Sequence, residues 1–306
     1  MTVSAILIIG FGYVGQRIAR AERQRGNSAF ALVRSAAGNE RARSAGVAPV
    51  AGDLDQPGSL TALPAPLNTL YYLAPPPREG ETDPRMLNLL AALSPAKRPQ
   101  VFVYISTTGV YGDCKECWVN ENSPTAPTQS RSVRRLSAER ALLSWASANG
   151  TRAVILRVAG IYGPDRLPLT RIQSGEPMVD DPIHPSYVNV IHADDLTQIC
   201  LAAADRGEAG GIYNVCDGHP TTMMRYFQIV AAAAGLPCPP TISMAEARER
   251  MSPGMLSYVQ ESRRIDNKKV RDELGVHLQY PNVSLGVPAC LAVAGDDYPQ
   301  EDKTRP

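Results

Sequence analysis

The residues whose types and spacing best suit chemistry begin at position 10. Gly10-Phe11-Gly12-Tyr13-Val14-Gly15 fits G-x-G-x-x-G, directly after an apolar run and at the opening of a helical stretch. Gly10 permits a tight turn, Gly12 lets the main chain approach a pyrophosphate, and Gly15 lets the helix lie close to a sheet. Unpaired amides at the helix start, where Tyr13 and Val14 stand, then face the phosphates. The second apolar run ends Leu32-Val33-Arg34-Ser35, and no acid stands between Glu22 and Glu40. An acid there would bind the ribose 2′-hydroxyl of NAD; Arg34 instead suits the 2′-phosphate of NADP, by charge and forked geometry. NADP is therefore the expected cofactor, with NAD the second choice. Cys114 and Cys117 form a single C-x-x-C with no second pair and no nearby histidine, so no metal site is expected and the pair reads as structural.

These residues need a scaffold, and the chain supplies an alternating one. Ala5 to Ile9, Ala29 to Val33, Thr69 to Leu73, Val101 to Ile105 and Ala153 to Val158 are short and apolar almost throughout, as strands buried on both faces of a parallel sheet are. Helical spacing lies between them: Val133, Leu136 and Leu143 on one face with a stop at Asn149-Gly150, and Leu196, Ile199, Cys200 and Ala203 behind Asp194 and Asp195. The pattern is βαβα, an α/β fold with a Rossmann-type doubly wound parallel sheet. Pro164 to Pro185 holds too many prolines for long helices or central strands. Ile212 to Val215 reads as one more strand and Thr222 to Ala234 as a helix closed by Gly235. The expected division is a dinucleotide-binding domain over 1–163, to which 188–215 returns. A smaller substrate-binding lobe would take 164–187 and 216–295, and 296–306 would form a frayed tail.

Composition excludes other classes. Hydrophobic residues make up 44% and charged residues 20%, the proportions of an ordinary globular protein, and the formal charge is +1. That balance gives no support for nucleic-acid or polybasic membrane binding. No segment reaches the roughly 18 uninterrupted apolar residues that cross a bilayer, and the run from Ala5 to Ile9 lacks the flanks of a signal peptide. Six thinly spread cysteines without an export signal lead to the expectation of reduced thiols and a cytoplasmic location.

Three longer stretches are more specific: VFVYISTTGVYGD from Val101, LRVAGIYGP from Leu156 and VNVIHADDL from Val188. With the glycine loop they resemble the extended short-chain dehydrogenase/reductase superfamily, above all the atypical YeeZ-like group of the NAD-dependent epimerase/dehydratase family. The resemblance runs from about Met1 to Leu285. It implies Asp53 and Leu54 near the adenine, Ala74 and Pro75 beside the dinucleotide, and Gly160 and Ile161 near the nicotinamide. It also implies a Ser or Thr after the fourth strand, then a Tyr and a Lys on the next helix with three residues between them. Thr107 takes the first place, between Ser106 and Thr108. Glu139 matches a glutamate that follows the Lys, which sets Arg135 at the Lys position and Arg131 at the Tyr position, within RSVRRLSAE. No tyrosine lies on that helix. Arginine stays protonated and cannot donate the proton, though it can hold a ribose or an anionic substrate. Tyr111 is then the candidate acid, with Tyr162 and Tyr187 behind it; His192 and Asp194 organise a helix start.

The leading expectation is an NADP-dependent oxidoreductase, a reductase or epimerase acting on a small polar or sugar-like metabolite, with Thr107, Tyr111 and Arg135 at its centre. A second reading stays open: a dinucleotide-binding redox sensor or scaffold protein without turnover, which the Arg131 and Arg135 replacements favour. The resemblance implies a homodimer through a helix pair; the composition carries no sign of it.

Overall fold

The computed structural model describes residues 3–293, apart from 182, 184, 253–255 and 257–258. Its centre is explained by the first strand, β1 (Ala5–Ile9), which is apolar throughout because both of its faces are covered. Ile6 and Ile8 enter one core and Leu7 and Ile9 the other, the alternation a pleated strand imposes. Six more strands join it: β2 (Ser28–Val33), β3 (Ala48–Ala51), β4 (Leu67–Tyr72), β5 (Pro99–Thr107), β7 (Arg152–Val158) and β12 (Gly211–Val215). All pair in parallel, in the order β12-β7-β5-β4-β1-β2-β3. The chain winds outward from β1 through β2 to β3, then returns to lay β4 on the other side of β1. That reversal opens a crevice at the carboxyl ends of β1 and β4, where doubly wound sheets bind ligands.

Helices cover both faces. On the face of Ile6 and Ile8 lie α1 (Tyr13–Gln24), α2 (Ala36–Ser44), α6 (Ala193–Arg206) and α9 (Lys268–Leu274). On the other lie the 3-10 turn Pro57–Ala62, α3 (Pro84–Ala92) and α4 (Ser130–Asn149). Asp83 starts α3 by accepting from the amides of Arg85 and Met86, and α4 stops at Gly150 in the left-handed conformation.

A third core forms beyond the strand ends. It is built from α7 (Met223–Ala233) and α10 (Val283–Ala292), with Tyr162, Ile172, Met178 and Val190 packed between them. α5 (Leu169–Gln173) packs against it, and α8 (Met244–Arg250) and short strand pairs complete the chain outside the sheet. These are β8 (Gly160–Tyr162) with β11 (Val190–His192), β10 (Tyr187–Val188) with β13 (Thr221–Thr222), β9 (Met178–Val179) with β14 (Thr241–Ile242), and β6 (Trp118–Val119) with β15 (Arg264–Ile265).

Several local readings shift. β3 went unread, because Ala48-Pro49-Val50-Ala51 is an outer strand whose proline needs no partner on its open side. The stripe assigned to α4 is displaced. Leu136 is buried but Val133 and Leu143 are half-buried, and the inward face carries Ser132, Arg134, Ala138, Glu139, Leu142 and Ala146 instead. The tail expected over 296–306, with the last two residues of the expected lobe, lies outside the described residues.

Asp195, in the first turn of α6, fastens the chain beyond α9. Its two carboxylate oxygens accept from the amides of Gln279 and Tyr280, at 2.7 and 2.9 Å. Replacement by alanine leaves two partly buried amides without their acceptor. Asp195→Ala is expected to destabilise the fold by about 2–4 kcal/mol in urea unfolding, and Asp195→Asn, which keeps one acceptor, by less.

Candidate active site

The glycine loop lies at the switch point. Gly10 has φ +96°, and a Cβ on it would stand 2.7 Å from the Ala74 nitrogen and 2.8 Å from the Leu73 carbonyl carbon. Only glycine fits this close approach of the β1 and β4 ends. A Cβ on Gly15 would run into the Gly10 carbonyl oxygen. Gly12 precedes α1 with no side-chain cap, and the first turn of that helix carries no acid. Its leading amides, at Tyr13, Val14 and Gly15, are therefore left for an anion. The Tyr13 hydroxyl donates to the Pro164 carbonyl at 2.6 Å, and the guanidinium groups of Arg17 and Arg166 lie 3.8 and 4.3 Å from its ring centre. Val14 is buried below.

Arg34 is exposed directly after β2, where Ser35 caps α2 by accepting from Gly38. Asp53 and Leu54 follow β3. The Asp53 carboxylate accepts from the Asp55 amide, and the buried Leu54 offers its carbonyl to Asn88. Asp55 takes both forks of Arg85, at 2.7 and 2.6 Å, and Arg85 also donates to the Pro75 carbonyl at 3.0 Å. The loop after β3 is thus tied to the loop after β4, and Arg85 holds the Asp55 carboxyl below its ordinary value. The sequence gives no warning of this tie, because charged residues in a loop and a first helical turn are unremarkable.

Thr107 ends β5 and starts a 3-10 turn, Thr108–Tyr111, by accepting from the Gly109 amide at 3.1 Å. Its hydroxyl keeps a proton to donate. Arg135 reaches the same place from α4: its Nη1 donates to the carbonyls of Ile105 and Ala74, at 2.9 and 3.2 Å, and to the Tyr104 hydroxyl at 3.3 Å. Arg135 therefore sits between the ends of β4 and β5, while Arg131, one turn earlier, is exposed. Burial lifts the Tyr104 phenol to about 12, against the pull of Arg135.

Tyr111 goes elsewhere. It is 1% exposed, and its hydroxyl donates to Asn214 at 2.7 Å and accepts from Arg157 at 3.0 Å. Burial raises its phenol, with Arg157 opposing. Arg157 in turn pairs with Glu139 at 2.8 Å, and Ser106 donates to the same carboxylate. This network ties α4 to β5 and β7. A charged residue inside the apolar run Leu156-Arg157-Val158 was the signal for it, since a charge enters a core only with a partner. Removing that partner strands Arg157, so Glu139→Ala is expected to destabilise the fold by about 3–5 kcal/mol in denaturant titration.

Gly160 is exposed and Ile161 half-buried on β8, beside β11. Tyr162 is buried, its hydroxyl paired with nothing among the described residues, and Tyr187 is half-buried beside Arg264. His192 caps α6 by accepting from the Asp194 amide, and burial lowers it to about 4, so it stays neutral. Asp217 follows β12 and is buried. It accepts from the His219 amide, and its carboxyl is lifted by burial from 3.8 to about 7. The folded state favours the neutral acid, so this stabilising preference is complete below pH 3.8 and lost as pH rises through 7. Asp217→Asn keeps the acceptor without the charge. It is expected to raise stability at pH 8 by about 2–4 kcal/mol and to change little at pH 4, by calorimetry at the two values. Among the described residues no three His, Cys, Asp or Glu side chains stand together as a metal set, and no helix is long and apolar enough to cross a membrane.

The family model of the NAD dependent epimerase/dehydratase family matches residues 6–216. Protein YeeZ of Escherichia coli K12 is 28% identical over 290 residues, covering 90% of this chain and 96% of its own. A ketoreductase of Stigmatella aurantiaca, acting on a 4-hydroxy-2-methyl-3-oxo-4-farnesyl-3,4-dihydroquinoline-1-oxide, is 25% identical over 74% of this chain and 72% of its own. The crystal structure of a conserved protein of unknown function from Silicibacter pomeroyi DSS superposes with a TM-score of 0.81 at 30% identity, covering 95% of this chain and 99% of that one. With the doubly wound sheet, the glycine loop at its switch point and a match over most of its length, the chain belongs to the NAD-dependent epimerase/dehydratase family.

Proposed function

We propose that the protein is an NADP-dependent reductase or epimerase of a small polar or sugar-like metabolite, working without the family tyrosine. The observation that carries this reading is Arg135, anchored on the Ala74 and Ile105 carbonyls beside the Thr107 strand end. The residue types around the strand ends would suit a dinucleotide. Gly10, Gly12 and Gly15 clear the path of the main chain, and the Tyr13 and Val14 amides meet a pyrophosphate. Arg34 would hold the 2′-phosphate, Asp53 and Leu54 would flank the adenine, Ala74 and Pro75 would line the middle, and Gly160 and Ile161 would take the nicotinamide end. The group supplies hydride transfer when bound.

The protein residues do the rest. Nη1 of Arg135 carries three hydrogen bonds to the protein; among the described residues Nε and Nη2 have no acceptor, and they would serve ribose hydroxyls or an anionic substrate. Its fixed charge also stabilises negative charge developing on a substrate oxygen. Of the expected set, Thr107 offers a transferable proton at the cleft; it orients the substrate carbonyl or alcohol. Tyr111 we assign to the buried network, where both sides of its hydroxyl are engaged. The likeness to a ketoreductase supports the hydride chemistry.

The same engaged Tyr111 favours a second reading, a dinucleotide-binding sensor without turnover. Calorimetric titration with NADPH and NADH in parallel is the first test. NADPH is expected to bind more tightly, and Arg34→Glu to cut that preference about tenfold or more. An unchanged ratio overturns the Arg34 assignment, and no binding of either overturns the whole reading. Once a substrate is found, Thr107→Ala is expected to lower kcat about a hundredfold or more with cofactor affinity intact. A partner whose binding follows the NADP oxidation state and ignores that substitution would establish the sensor.

A further inference from the structure

The C-x-x-C pair takes no part in the function proposed above, yet its backbone is unusual. Cys114-Lys115-Glu116-Cys117 forms a tight turn closed by the Cys117 amide on the Cys114 carbonyl, at 3.0 Å. Both central residues have positive φ, 47° for Lys115 and 64° for Glu116. Neither is glycine, so each occupies a region that side chains disfavour. Two successive residues of this kind persist only where the surroundings impose them. The surroundings are on hand: the amides of Cys114 and Glu116 both donate to the Ser262 carbonyl, at 3.2 and 3.1 Å.

The consequence for the two thiols is geometric. A hydrogen-bonded turn brings its first and last Cα atoms within about 7 Å, and a disulfide spans about 4.4–6.8 Å. The pair is therefore held near bonding distance by main-chain contacts that do not involve sulfur. The two cysteines also differ in access. Cys117 is exposed, whereas Cys114 is half-buried, with its Sγ 3.8 and 3.7 Å from the carbonyls of Tyr111 and Gly112. Arg263 donates to that same Gly112 carbonyl and lowers the Cys114 thiol against the larger upward effect of burial. An exposed thiol to meet a reagent and a sheltered neighbour to displace it are the parts of a dithiol exchange site.

We propose that Cys114 and Cys117 are a redox-active dithiol that exchanges with small disulfides. The Cys117 thiolate attacks one sulfur of the small disulfide, whose S–S bond breaks to release one thiolate. The Cys114 thiolate then attacks the Cys117 sulfur of the mixed disulfide. The Cys114–Cys117 bond forms and the second small thiolate leaves. The pair loses two electrons, the small disulfide gains two, and the two thiol protons pass to the released thiolates.

Cys238, the other exposed cysteine, is an internal control without a neighbour. The full-length protein is equilibrated with oxidised and reduced glutathione at graded ratios, quenched in acid, alkylated and mapped by mass spectrometry. In the wild type, Cys114 and Cys117 are expected to lose their alkyl labels together, with a mass 2 Da lower in their peptide (two hydrogens lost in the S–S step) and no glutathione on Cys117. Cys238 is expected to carry glutathione alone. Cys114→Ser is expected to trap glutathione on Cys117, and Cys117→Ser to leave Cys114 alkylatable. The proposal is overturned if wild-type Cys117 accumulates glutathione to the level of Cys238, or if both thiols stay alkylatable when Cys238 is already modified. Neither outcome depends on dinucleotide binding.

Discussion

The buried pair of Glu139 and Arg157 sets the geometry on which the cleft depends. The two are 2% and 4% exposed, and the guanidinium lies across the carboxylate at 2.8 Å. Taking both charges out of water offsets most of what their attraction returns, so the pair is weak as a source of stability. Its worth is positional. Arg157 belongs to β7 and Ser106 to β5, so a glutamate gripped by both cannot turn away, and α4 is held in one rotational phase. Arg135 stands one helical turn before Glu139 and shares its face. Fixing Glu139 over the strands therefore delivers Arg135 to the strand ends.

The same grip decides what Tyr111 can do. Arg157 has donors beyond those used by Glu139, and one of them reaches the Tyr111 hydroxyl. Asn214 accepts the phenol proton on the other side. A phenol serving as a general acid must offer its proton to substrate, and this one is committed to an amide oxygen in the core. An arginine anchored at the strand ends thus coincides with a tyrosine bound into structure. Near the β5 end stand the Thr107 hydroxyl and the Arg135 guanidinium, a group that can orient a ligand oxygen and a permanent cation.

The strands were legible because burial on both faces removes polar alternation, and Ala5–Ile9 or Val101–Ile105 can be nothing else at that length. The glycine loop was legible for a similar reason. The gap between β1 and the β4 end admits no side chain at position 10, and that constraint is written as a residue type. Contacts between distant loops leave no such mark. Asn214 lies 103 positions from Tyr111, and nothing local in either residue announces the other. The α4 stripe misled because its inward face is partly charged. Arg134 and Glu139 occupy positions that a hydrophobic pattern reserves for leucine, and their partners lie on other elements.

Arginine recurs at the strand ends in one particular use. The segment after β4 would hang over the cleft with its carbonyls unmet, but Ala74 accepts from Arg135, Pro75 from Arg85 and Gly80 from Arg134. The Gly112 carbonyl beyond β5 accepts from Arg263. Lysine could neutralise charge here, but a single ammonium cannot hold a carboxylate in two-point geometry and a carbonyl together, as Arg85 does with Asp55 and Pro75. Proline at 75, 76 and 77 gives no amides for a regular turn, so side-chain donors must take over the work of main-chain pairing. Three of these four donors come from α3 and α4, the two helices that pack on the Leu7 and Ile9 face of the sheet.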